Sequence, residues 1–105
     1  MAGADVSATA SGHEPFSFRL FIASGTPNSA LATANLAALC KTQFANRCTI
    51  ELVDVFAEPH RALSDGIFMT PTLVKLSPGP VGRCVGTLSD APSVLAALGI
   101  EELVP

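Results

Sequence analysis

A chain of 105 residues that is 49% hydrophobic and only 14% charged is long enough to bury one core without disulfide or metal staples and is read as one domain. The net charge of -3, with six Lys and Arg scattered singly, offers no basic patch for phosphates and speaks against nucleic acid as a partner. No stretch approaches the roughly 20 apolar residues that cross a bilayer, and so sparse a charge cover predicts an exposed apolar face that a partner or a second copy would shield.

The chain opens without the basic start and apolar middle of a secretory signal. Residues 1–15, rich in Ala, Ser, Gly and Thr, read as a flexible tail, and residues 16–105 as a single domain. Phe16 to Ala23 begins with alternation and ends in an apolar run, the pattern of a strand that becomes fully buried. Ser24-Gly25 turns the chain, Thr26 can cap, and Pro27 suits a first helical position. The spacing predicts a helix from Pro27 to about Gln43, packed through Leu31, Ala34, Ala38 and Leu39. After a turn at Asn46-Arg47, Cys48 to Val55 reads as the second strand. A helix between two strands implies a right-handed crossover and parallel pairing.

A short helix is predicted from His60 to Ser64, stopped by Asp65-Gly66. Pro71 then enters a run rich in β-branched residues. Lacking an amide hydrogen, it fits only a strand start, an edge or a bend, so the third strand is placed at Thr72 to Leu76. Ser77-Pro78-Gly79-Pro80 is turn chemistry, and Arg83 to Leu88 offers a fourth strand antiparallel to the third. Ser89-Asp90 can cap a last helix, Ala91 to Leu98, with Pro92 in its first turn, Gly99 as its stop and Ile100 as the apolar contact beyond. The order βαβαββα is a thioredoxin-like α/β sandwich on a mixed four-stranded sheet. Thioredoxin-like folds carry a proline, usually cis, at the position of Pro71.

A thiol enzyme of this fold needs a cysteine at the entrance of the first helix, where free amides and the helix dipole lower its pKa. Here the entrance reads Ser24-Gly25-Thr26-Pro27-Asn28-Ser29. Cys40 lies about three turns further on, beyond the reach of the dipole. The odd set Cys40, Cys48 and Cys84 argues for a reducing compartment and for core cysteines. His13 in the tail and a solitary His60 give no metal spacing. Asp54 and Glu58 could pair for acid–base work, but a strand-end carboxylate holding loop amides is the simpler reading. There is no phosphate loop. No catalytic, cofactor-binding or metal residue is assigned.

Gly25-Thr26-Pro27-Asn28-Ser29, Val53-Asp54-Val55, Thr70 to Leu76 and Gly86-Thr87-Leu88-Ser89-Asp90, in this order and spacing, resemble the circadian clock protein family KaiB over about Phe18 to Leu98. The resemblance implies a cytoplasmic, non-enzymatic regulator without cofactor that binds a KaiC-like ATPase, with a KaiA-like protein or a histidine kinase as further partners. It also implies a second fold, a tetrameric ground state of order βαββααβ, with switching between the two. The local preferences of Ala91 to Leu98 for helix and of Thr72 and Val74 for strand side with the thioredoxin-like monomer. Pro71, Thr70, Thr72, Gly86, Gly25 and Pro27 are the fold-determining residues in this reading. Asp54, Leu63, Lys75 and Arg83 are the partner-facing ones, on a sheet edge and around the second helix and third strand. Thr87 where the family usually has aspartate, the loosened Pro78-Gly79-Pro80 turn, the single Arg83 in place of a basic pair, and the lack of tyrosine mark a divergent member. With no kinase sequence following, a free-standing protein is expected. The competing expectation is a redox or stress protein that senses through Cys40, Cys48 or Cys84, which requires an exposed thiol of low pKa.

Overall fold

A computed structural model of the chain describes residues 16–100; the tail assigned to residues 1–15 lies outside them. The elements follow the order β1 (Phe16–Ile22), α1 (Pro27–Gln43), β2 (Cys48–Asp54), α2 (Pro59–Ser64), β3 (Thr72–Ser77), β4 (Gly82–Val85) and α3 (Ala91–Ala97). The sheet order is β2-β1-β3-β4. β1 runs parallel to β2, with Phe18 opposite Ile50 and Leu20 opposite Leu52. It runs antiparallel to β3, and β3 antiparallel to β4. This is the mixed thioredoxin-like sheet expected from the order of elements, with the most apolar strand at its centre.

Alternation along β1 and β3 divides the interior in two. On one face Phe18, Leu20 and Leu73 meet Ala32, Leu36 and Leu39 of α1 and Val94, Leu95 and Leu98 around α3. On the other face a smaller cluster of Phe21, Val53 and Val74 is covered by Ala62 and Ile67, at and just beyond the six-residue α2. Each fully buried Leu or Phe contributes about 1.5–3 kcal/mol by leaving water. Phe44, just past α1, completes an aromatic trio with Phe16 and Phe18, at ring separations of 4.3 and 5.6 Å.

Two helix stops follow the glycine pattern closely. At α2 the Gly66 amide donates to the Leu63 carbonyl and the Ile67 amide to that of Ala62. At α3 Gly99 donates to Ala96 and Ile100 to Leu95. Both glycines hold positive φ, +68° and +71°, which a residue with a Cβ resists. Ile67 and Ile100 pack back on the two clusters.

Several expectations are corrected. The buried stripe of α1 is Ser29, Ala32, Leu36, Leu39 and Cys40; of the predicted face only Leu39 is buried, while Leu31 is 51% exposed and Ala34 and Ala38 face solvent. β4 covers Gly82 to Val85 and not Arg83 to Leu88, because Gly86 at φ +122° and Leu88 at +63° leave the extended region. β1 stops before Ala23 and β2 before Val55, while α2 begins at Pro59. Thr26 and Asp90 occupy the capping positions, but neither side chain bonds a helix amide. The Thr26 hydroxyl turns back to the Ala23 carbonyl at 2.7 Å, and the Asp90 carboxylate accepts from the Ser93 hydroxyl. The Thr70–Pro71 bond is cis, as is Ser77–Pro78.

Candidate docking surface

At the entrance of α1, where sulfur chemistry would reside, the backbone makes a tight turn. The Thr26 amide donates to Ala23 across Gly25, which holds φ +86°. The buried Ser29 hydroxyl accepts the Ala23 amide at 2.9 Å. Of the four hydroxyl residues that line the open depression of about 400 Å³, Ser24, Thr26, Ser29 and Thr33, Thr26 and Ser29 are held by the main chain of Ala23 and Thr33 donates to the Ser29 carbonyl at 2.8 Å, and no titratable side chain lines that depression. Its lining residues include no general base and no thiol.

Asp54 ties this entrance to the next strand. Its carboxylate accepts the amides of Ser24 at 3.3 Å and Phe56 at 3.1 Å, and its carbonyl accepts those of Ala57 and Glu58. Glu58 directs its carboxylate to Arg61 instead, so no carboxylate pair forms.

Two of the three thiols, Cys48 and Cys84, are shifted away from reactivity. Burial pushes the Cys48 thiol well above its ordinary range, with the neighbouring Cys40 thiol adding to the rise. Burial raises Cys84 too. A reactive thiol requires the opposite shift.

On the α2 face the register brings Arg19 opposite Glu51, and from that pair an ion network grows. Arg19 Nε lies 2.9 Å from Glu51 and its Nη1 3.0 Å from Asp65. Arg61 reaches the second oxygen of Glu51 at 2.6 Å and Glu58 at 3.5 Å. Flanked by Arg61 and Arg19, the Glu51 carboxyl is held down at about 2. The Arg83 guanidinium donates to the carbonyls of Asp65 and Gly66 at the end of α2. Sequence reasoning missed this network. Its one signal, charges on facing strands, requires a register the sequence does not print.

The network fixes α2 beside a group of exposed apolar side chains. Phe56 before α2, Leu63 on it, Phe68 and Met69 after it, and Val85 at the end of β4 all stand exposed, Phe68 at 91%. The last three, with Ile67, Thr72 and Arg83, line a shallow cleft of about 140 Å³. The cleft floor is set by the turn into β3, where Thr72 donates to the Met69 carbonyl and the Gly86 amide to that of Pro71 at 2.9 Å. Of the residues named from sequence as partner-facing, Leu63 and Arg83 border this surface, and Asp54 lies at the nearby strand end. Lys75 does not: it is 3% exposed, on the opposite face of the sheet, with its ammonium donating to the carbonyls of Pro78 at 2.6 Å and Pro80 at 2.8 Å. It is a turn-binding cation and not a surface charge.

A family model described as the KaiB domain matches residues 19–100. The circadian clock oscillator protein KaiB of Synechococcus sp. (strain RCC307) is 40% identical over 87 residues, covering 81% of this chain and 79% of the relative. The circadian clock protein KaiB3 of a Synechocystis sp. is 35% identical over 82 residues, 78% of this chain and 80% of the relative. Among solved structures, the N-terminal domain of Synechococcus elongatus SasA superposes with a TM-score of 0.67 at 22% identity, covering 94% of this chain and 96% of that domain. Chloroplastic thioredoxin z does so with 0.66 at 20% identity, covering 82% of this chain and 77% of its own.

Proposed function

The chain belongs to the KaiB family of circadian clock proteins, and from that premise we propose that it is a non-enzymatic regulator that docks on a KaiC-type ATPase. The observation that carries the reading is the exposed apolar group Phe56, Leu63, Phe68, Met69 and Val85 around α2 and the entrance of β3. A surface so apolar at one end of a small domain is stabilised by being covered, and aromatic and Met side chains are the types that anchor protein interfaces. Arg83 at the edge of the group supplies a rim cation. At the α1 entrance the Thr26 and Ser29 hydroxyls are held by the Ala23 backbone, and no titratable side chain lines the depression beside them.

In this reading the thioredoxin-like arrangement is the docking-competent monomer. The tetrameric βαββααβ arrangement is its reserve, and the two packings need differ by only a few kcal/mol. A KaiA-like protein or a histidine kinase competes for or joins the complex, and the protein works in the cytoplasm. Among the described residues no helix is long and apolar enough to cross a membrane. Co-elution of the purified chain with a KaiC-type ATPase, run with and without ATP, tests the reading. A complex in at least one condition is expected, and separate elution in both counts against it.

A further inference from the structure

The last turn of α1 and the first residue of β2 each present a cysteine, and the backbone between them doubles back sharply. The Cys40 carbonyl accepts the amides of Phe44 at 3.3 Å and Asn46 at 2.9 Å. Ala45 and Asn46 both hold left-handed φ, 53° and 63°, which reverses the chain. The Phe16 amide then donates to the Arg47 carbonyl at 2.8 Å, fixing the return beside β1. Cys48 is delivered opposite Phe16, packed against the same core cluster that holds α1, with Cys40 the neighbouring thiol that, after burial, raises its pKa. Both are free thiols, Cys40 buried and Cys48 part-exposed. Cys84 stands apart on β4, three strands from β2 in the sheet, about 14 Å away at roughly 4.8 Å per strand spacing.

We propose that Cys40 and Cys48 form a dithiol that closes to an intrachain disulfide when the chain meets a low-molecular-weight disulfide such as glutathione disulfide, stapling the end of α1 to the start of edge strand β2. The Cys48 thiolate, the more accessible of the two, attacks one sulfur of glutathione disulfide and expels a glutathione thiolate. The Cys40 thiolate then attacks the Cys48 sulfur of the mixed disulfide and releases the second glutathione. Two protein thiols are oxidised to one disulfide, and glutathione disulfide takes the two electrons and two protons to become two thiols. Burial keeps the attacking thiol protonated near neutrality and makes the first step slow without altering its end point. The staple bears on function through β2, which is an edge strand among the described residues and whose Ile50 and Leu52 are exposed.

The test is oxidation of the folded full-length chain with glutathione disulfide, followed by alkylation, thiol titration, intact mass and peptide mapping. Titratable thiols fall from three to one, the mass drops by two hydrogens, and the cross-linked peptides contain Cys40 and Cys48. A Cys84→Ser variant closes in the same way, whereas Cys40→Ala stops at a persistent glutathione adduct on Cys48. The proposal is overturned if the wild-type chain keeps a glutathione adduct at Cys48, if the cross-link involves Cys84, or if all three thiols survive conditions that oxidise them in denaturant.

Discussion

The carboxylate of Asp54 accepts the backbone amide of Ser24 at 3.3 Å, so the end of β2 is fastened to the turn that opens α1. Since the same oxygen also holds the Phe56 amide at 3.1 Å, one side chain orders two loops. Asp54→Ala is expected to cost about 1 kcal/mol in urea unfolding. Asp54→Asn, which keeps an acceptor oxygen, should cost less. A larger loss for Asn than for Ala would show that the two amides are not what Asp54 serves.

The corrected face of α1 gives a paired prediction. Leu36 is buried at 1% and Leu31 stands half-exposed. Leu36→Ala should destabilise by about 2–5 kcal/mol through lost transfer energy and a residual cavity. Leu31→Ala should stay within about 0.5 kcal/mol, as exposed positions do. Equal losses in chemical denaturation would return Leu31 to the core.

That pair also shows what the chain discloses about itself. Strand positions and helix ends were legible because alternation, Pro27, Asp65-Gly66, Pro71 and Gly99 act locally, each through its own φ restriction or glycine freedom. The face of α1 was not legible, since alanines surround the helix and any of several stripes could pack. The end of β4 was misplaced because Gly86 and Leu88 turn under tertiary constraint in a stretch of good strand formers. For the candidate surface, composition predicted exposed apolar area. Only the fold says that Phe56, Leu63, Phe68, Met69 and Val85 are among the side chains that provide it, and that Lys75 folds under its own turn.

Stability should respond to acid through Glu51. Its carboxyl is held at about 2, below the ordinary 4.5, chiefly by Arg61 and then by Arg19. A depressed value means that Glu51 contributes to folding above about pH 4.5 and that the contribution fades as pH falls toward 2. The thermal midpoint of the wild type should therefore drop more steeply between those limits than that of Glu51→Gln. High salt should narrow the gap by screening these half-exposed pairs. Parallel curves for the two proteins would place the acid response elsewhere.

The most direct measurement of the docking account is the affinity of the chain and of Phe68→Ala for a nucleotide-loaded KaiC-type ATPase. Phe68 is 91% exposed, so its truncation should leave the thermal midpoint unchanged. The account predicts a complex with the wild type and at least tenfold weaker binding by the variant, about 1.4 kcal/mol. Equal affinity of the two proteins, or no complex with or without ATP, would contradict it.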